Sequence, residues 1–151
     1  MAAAAKTTLQ TPHLIRDCCL CLHVQRAARG LARRFDDALR PIGLTNGQFS
    51  ILVSLNRPEA PEMGSVASLL AMDRTTLTAA LKPLRRRGLV RVKADPSDGR
   101  RRLMTLTAKG RRLLARAVPA WKKTHAAVEA LLRDGDADRL RNNLRALSRS
   151  S

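Results

Sequence analysis

The order of patterns between residues 63 and 107 is the strongest constraint on what this chain can fold into. Ser65 to Met72 carries Val66, Leu69 and Leu70 at helical spacing, and Asp73 then stands as an N-cap before a second helix, Arg74 to Arg87. Leu77, Leu81 and Leu84 would bury one face of that helix, and Gly88 would end it. Pro83 lies inside it, removes a backbone donor and crowds the preceding turn, so a bend near Ala79–Pro83 is expected. Two runs of alternating character follow, Leu89–Lys93 and Leu103–Thr107, joined by a loop in which Asp98-Gly99 is a turn signal. Helix, helix, strand, loop and strand in that order read as a winged helix-turn-helix.

Charge says what such a unit would meet. From Arg74 to Arg102 there are ten Lys/Arg and two Asp, and the whole chain carries 29 basic against 12 acidic residues, a formal net charge of +17. A basic helix beside a basic hairpin fits double-stranded DNA, whose affinity for proteins comes largely from phosphate neutralisation. Two Phe, one Trp and no Tyr leave little with which to stack unpaired bases, which argues against a single-strand platform. The same scarcity leaves a core built mainly of Leu, Ala and Val. No paired carboxylates or Ser/His/Asp arrangement points to an enzyme, so no catalytic residue is expected. No apolar run is long enough to span a bilayer and no signal-peptide pattern opens the chain, so the expected setting is the cytoplasm, with no membrane partner.

The flanks read as helices. Residues 1–12 are expected to be a flexible tail. His13 to Arg40 repeats Leu20, Val24, Ala27, Leu31, Phe35 and Leu39 on one face, with Ile15, Cys18 and Leu22 widening it, and Pro41-Ile42-Gly43 ends the run. Thr45 with Gln48 three residues on forms a capping box for a helix whose stripe is Phe49, Leu52, Val53 and Leu55. Asn56 to Glu62 reads as a loop. A long helix starts at Thr107 or Ala108 and runs to about Leu132, with a kink or break at Pro119. Asp136 to Ser148 is a last helix with Leu140, Leu144 and Leu147 in packing positions. The fold class is therefore mainly α with a small β-hairpin wing. Residues 13–42 and 108–151 would form a dimerisation region around a DNA-binding domain at 43–107. A homodimer would set two reading heads on an inverted-repeat operator.

Several stretches resemble the MarR family of multiple antibiotic resistance regulators. They are Leu44-Thr45-Asn46-Gly47-Gln48-Phe49, the run Val66 to Thr78, Leu84-Arg85-Arg86-Arg87-Gly88-Leu89-Val90, and Asp98 to Gly110. The most specific part is Asp-x-Arg followed by Leu-Thr-x-x-Gly. The resemblance implies a dimeric winged-helix transcription factor, usually a repressor released by a small ligand or by thiol oxidation. It places recognition-helix positions on Arg74, Thr75, Thr76, Thr78, Ala79 and Lys82, and the wing arginine on Arg100, beside Arg101. Arg74 can hold a phosphate or pair with guanine, and Lys82 suits a phosphate. A wing arginine suits a narrow minor groove. Asp98 would position Arg100 or a neighbouring arginine, because a carboxylate facing DNA would be repelled. Arg85, Arg86 and Arg87 suit backbone neutralisation or solvent.

Cys18, Cys19 and Cys21 form a tight, odd-numbered set unlike a disulfide framework. They read as packing residues near the dimer seam. The alternatives are a redox sensor and a metal site. The organic-hydroperoxide branch of the family carries a reactive cysteine in a context that Leu20-Cys21-Leu22 resembles, but that branch supports its thiol with tyrosines, which this chain lacks. Cys19 and His23 share a helical face, yet two ligands do not close a zinc site, so no metal or other cofactor is expected. The resemblance also implies a small effector, an aromatic acid whose carboxylate an arginine could grip. Candidate pocket residues are His13, Arg16, His23, Gln25, Gln48 and Phe49. The competing reading from another class is an architectural protein that binds DNA without sequence choice.

Overall fold

The structure, a computed structural model, describes residues 11–148. The chain falls into two compact units that divide between Arg34 and Phe35. In the first, α1 (Thr11–Cys18) is followed after one residue by α2 (Leu20–Leu39), which continues into the second unit. The single helix expected from His13 to Arg40 is therefore interrupted at Cys19. Helical hydrogen bonds still cross the gap, from Cys19 N–H to the Ile15 carbonyl at 3.0 Å and from His23 N–H to the Cys19 carbonyl at 3.1 Å. The Cys19 sulfur accepts from the Leu22 N–H at 3.4 Å, in the manner of a side-chain N-cap for α2. Thr11 and Pro12, expected in the tail, form the first turn of α1, where a proline's missing donor has no helical partner to lose. The rest of the expected tail lies outside the described residues.

The second unit is built on Phe35 and Leu39 at the end of α2. A 3₁₀ turn at Arg40–Ile42 follows, and Gly43, at φ 79°, reverses the chain. α3 (Asn46–Ser54) starts on the expected capping box, with Gln48 N–H to Thr45 Oγ1 and Thr45 N–H to Gln48 Oε1 both at 3.2 Å. α3 buries Phe49, Ile51 and Leu52, so core surrounds it on more than one side and Val53, expected inward, is 47% exposed. α4 (Met63–Leu69) buries Val66 and Ala67 and leaves Leu69 exposed. It ends earlier than expected because the chain turns at Ala71, whose φ is 51°, with Met72 N–H donating to the Ala67 carbonyl at 2.8 Å. α5 (Arg74–Arg86) begins on Asp73 and buries Leu77, Leu81 and Leu84.

β1 (Val90–Ala94) and β2 (Arg102–Leu106) pair antiparallel, with Val90 opposite Leu106 and Val92 opposite Met104. The segment expected to be only a loop adds to this hairpin: Glu62 bridges to Leu103, and Met104 N–H donates to the Pro61 carbonyl at 3.0 Å. α6 (Ala108–Glu129) and α7 (Ala137–Ser148) complete the unit. Neither Pro83 nor Pro119 interrupts its helix. Apolar side chains on both sides of each proline, Leu81 with Leu84 and Leu114 with Trp121, are held by the same core, and packing outweighs the lost hydrogen bond. No helix among the described residues is long and apolar enough to cross a membrane.

Candidate nucleic-acid interface

α5 has two faces with opposite destinations. Leu77, Leu81 and Leu84 are at most 2% exposed, whereas Arg74, Thr75, Thr76, Thr78, Ala79 and Lys82 are all exposed. Asp73 Oδ1 accepts the Thr76 N–H at 2.7 Å and Oδ2 accepts the Thr76 hydroxyl at 2.7 Å. These bonds, the backbone one first, hold the Asp73 carboxyl below its ordinary pKa. Thr78 donates its hydroxyl to the Arg74 carbonyl at 2.7 Å, and its Oγ1 lies 3.5 Å from the Met63 sulfur. The Arg74 guanidinium lies against Gly64 at the start of α4, where a Cβ would stand 2.9 Å from its Nη2.

The wing loop is tied by its own aspartates. Asp95 Oδ1 accepts from the Ser97 hydroxyl at 2.7 Å and N–H at 2.8 Å, and these bonds hold its carboxyl below the ordinary range. Asp98 Oδ1 accepts the Arg100 N–H at 3.0 Å. The bond reaches the backbone of Arg100, whose side chain is exposed. Arg101 faces elsewhere: it pairs with Glu62, and its Nη1 lies 3.6 Å from Asp95 Oδ2. Sequence reasoning misses Glu62, which ends a stretch that reads as a loop. The signal that it faces the wing is its pairing with β2, which only the folded chain displays.

The base of the wing explains the Leu-Thr-x-x-Gly run. Leu106 is buried. Thr107 caps α6, its hydroxyl oxygen accepting the Gly110 N–H at 3.0 Å while its hydroxyl donates to the Gly88 carbonyl at 2.7 Å. A Cβ at Gly110 would be driven into the Leu89 carbonyl. Lys109 adds a bond from Nζ to the Arg87 carbonyl at 2.8 Å, at the end of α5. The motif docks the start of α6 onto the turn between α5 and β1.

A separate cavity of about 490 Å³ is lined by Phe49, Val53, Leu69, Leu70, Val118 and Trp121, with Ser50 and Ser54. The Ser54 hydroxyl is already used on the Ile51 carbonyl at 2.7 Å. Trp121 stacks on Phe49 (centroids 6.2 Å apart) and on His125 (4.7 Å, planes 9° apart). His125 Nε2 is 3.1 Å from Glu129, which Arg141 of α7 also contacts at 2.5 Å, holding the Glu129 carboxyl below its ordinary pKa.

The MarR family model matches residues 44–101, the span from the start of α3 to the wing. The transcriptional regulator MosR from M. tuberculosis, solved in complex with DNA, is 44% identical, with a TM-score of 0.78 over 86% of this chain and 93% of that one. The chain belongs to the MarR family. CouR from Rhodococcus jostii, solved with p-coumaroyl-CoA, is 25% identical, with a TM-score of 0.77 over 89% of this chain and 95% of that one. The transcriptional regulator HosA of Escherichia coli is 34% identical over 76 residues, 50% of this chain and 56% of HosA. The chain spans about half the length of the curated relatives it matches.

Within this MarR fold the sequence-expected residues separate into groups. Arg74, Thr75, Thr76, Thr78 and Lys82 share α5, and Asp98, Arg100 and Arg101 share the wing. Phe49 lines the cavity, and the Gln48 side chain closes the capping box instead. His13, Arg16, His23 and Gln25 lie on α1 and α2. There Arg16 pairs with Asp17 and Gln25 donates to the Cys21 sulfur at 3.2 Å. Trp121, Val118, Leu69 and Leu70 also line the cavity and do not read as pocket residues in the sequence, since apolar side chains at helical spacing look like core. Cys18 and Cys21 are exposed and Cys19 is half-buried.

Proposed function

We propose that this protein is a homodimeric transcriptional repressor that binds an inverted-repeat operator in double-stranded DNA and is released by a small ring-bearing ligand. The observation that carries the reading is the exposed face of α5, Arg74 through Lys82, on a helix whose other face is anchored in the core. Arg74 and the threonines would meet base edges and phosphates in the major groove, Lys82 a phosphate, and Arg100 the adjacent minor groove. Half-sites would lie about one helical turn apart. Residues 43–107 would be the reader, and residues 13–42 and 108–151 the dimerisation region. Leu14, Ile15, Leu20, Val24 and Leu31 on α1 and α2, and Leu140, Leu144 and Leu147 on α7, are exposed in the single chain, and a second copy would cover them.

The cavity beside Trp121 supports the ligand half of the proposal. Its lining suits an apolar ring and contains no arginine, so a carboxylate there would meet the Ser50 hydroxyl but no cation. A second reading, thiol control, rests on the exposure of Cys18 and Cys21. The deciding experiment measures binding to the promoter region beside the protein's own gene, at fixed salt, against excess random duplex. Peroxide-treated protein and a panel of aromatic acids are run in parallel. Preferential binding to a palindrome supports the regulator, and the treatment that releases it assigns the signal. Equal competition by random duplex would replace this reading with a charge-driven architectural binder. Trp121 is the sole tryptophan of the chain, so its fluorescence reports whether a ring-bearing ligand enters the cavity.

A further inference from the structure

A basic cleft of about 470 Å³ opens where the end of α5 meets the start of α6. Arg87, Lys109, Arg112 and Arg116 supply its charge, and Leu89 and Leu113 its apolar wall. Arg112 and Arg116 stand about one turn apart on α6, and both are exposed. The other two cations are held by the backbone. Arg87 is half-buried, with its guanidinium packed over the Gly43 turn, where a Cβ would lie 3.4 Å from Nη2. Lys109 is fixed by its bond to the Arg87 carbonyl. The lining contains no carboxylate, and none of the four cations forms an ion pair among the described residues. Like charges that converge on one concave site concentrate anions there. The duplex proposed above leaves this cleft unused. At about 100° per residue, Arg87 points roughly 130° around the α5 axis from the mean direction of Thr75, Thr78, Ala79 and Lys82, and it lies about 7.5 Å beyond Lys82 along that axis. The cleft is also separate from the cavity beside Trp121, because Arg112 and Arg116 lie on nearly the opposite face of α6 from Val118 and Trp121.

We infer that this cleft is a second effector site, one that takes a small molecule with two linked phosphate groups, such as a nucleoside diphosphate. Three guanidinium forks suit phosphate oxygens, which they can grip two at a time. A single carboxylate would leave most of the four charges unmatched, whereas a diphosphate carries several negative charges within one short group. Leu113, half-buried at the edge, offers apolar surface to whatever the diphosphate is attached to. The occupant would bridge Arg87 at the end of α5 to Arg112 and Arg116 on α6, the same two elements that Lys109 already ties together. The claim does not depend on the operator reading, since it concerns residues to which that reading gives no part.

The test is calorimetric titration of the full chain with pyrophosphate, ADP and AMP at about 150 mM monovalent salt, where diffuse surface attraction is largely screened. Wild type is compared with the Arg112→Gln/Arg116→Gln double variant. Both positions are exposed, and the thermal transition of the variant checks its folding. The expected result is saturable binding of pyrophosphate and ADP at one site per chain, with AMP weaker by about tenfold or more. The double variant should weaken both diphosphates by at least about tenfold, the loss of charge-assisted hydrogen bonds. Arg112→Lys/Arg116→Lys, which keeps the charge, should retain part of the binding. Tighter binding of ADP than of pyrophosphate would assign the apolar edge to the nucleoside, and equal binding would assign the site to the diphosphate alone. Absence of saturable diphosphate binding to wild type would overturn the site, as would undiminished binding to the folded Gln variant. Fluorescence anisotropy on a random-sequence duplex across a salt series is the second arm. The Gln variant should keep the wild-type slope of log affinity against log salt. A flatter slope would overturn the proposal by making the cleft part of the DNA-binding surface.

Discussion

At the scale of the residue, the wing places two adjacent arginines in opposite roles. Arg100 is exposed, with its backbone fixed by Asp98, while Arg101 is engaged by Glu62 and Asp95. Removing the free arginine should therefore cost binding without disturbing the loop. Arg100→Ala is expected to weaken promoter binding by about 1–3 kcal/mol, the usual range for a groove contact, with the thermal transition unmoved. Titration of labelled promoter duplex checks this, and an unchanged affinity would take the wing tip out of the interface. Gly110 shows the opposite dependence. Its missing Cβ makes room for the Leu89 carbonyl, which is backbone and cannot swing aside as a side-chain end would. Gly110→Ala should destabilise the fold by roughly 1–3 kcal/mol or more, since overpacking here must move a strand relative to a helix. Urea denaturation followed by circular dichroism would read it as a lower midpoint.

At the scale of the element, the same reasoning separates what the residue order could announce from what it could not. Capping boxes and N-caps are local. Thr45 with Gln48, and Asp73 with Thr76, were legible because three residues suffice to make the bond. The stripe Leu77, Leu81 and Leu84 was legible because α5 touches the core on one side. The stripes of α3 and α4 mislead at Val53 and Leu69, which are exposed, because periodicity names a face without saying how many neighbours it has. The ion pair of Glu62 with Arg101 joins positions 39 residues apart and depends on a bridge between a loop and β2, which no local pattern carries. The Asp73 cap also has a defined pH window. Its carboxyl is held below its ordinary value of 3.8 by the Thr76 bonds, so the folded state favours the charged form. The stabilisation is complete above that ordinary value and is lost as pH falls through the lower folded one. Within pH 5–8 this cap should leave stability flat. In Asp73→Asn the acid-side loss attributable to Asp73 should vanish from the profile. Thermal melts of both proteins across pH 2–8 would measure it, and identical acid limbs would remove Asp73 from the account.

At the scale of the whole molecule, one property acts on folding and on binding with opposite signs. The net charge of +17 comes from 29 basic and 12 acidic residues, and five of the cations, Lys82, Arg85, Arg86, Arg91 and Lys93, line one cleft between α5 and β1. Without a polyanion, that charge repels itself and lowers the stability of the compact state; added salt screens the repulsion over a Debye length of about 10 Å at 0.1 M. With a duplex present, the same salt competes with the protein for the phosphates. Raising monovalent salt from about 50 to about 200 mM should therefore increase the melting temperature of the free protein while weakening DNA binding steeply, by on the order of 10³-fold if six phosphates are neutralised. The two series are run on one preparation, melts without DNA and anisotropy with it. Parallel slopes, in which salt stabilises both or neither, would mean that the charge is dispersed over solvated surface. Opposed slopes would mean that the fold tolerates its self-repulsion because the bound state removes it. A melting temperature that also rises on adding random duplex at low salt would fit this account, since binding to the folded state alone stabilises it by mass action.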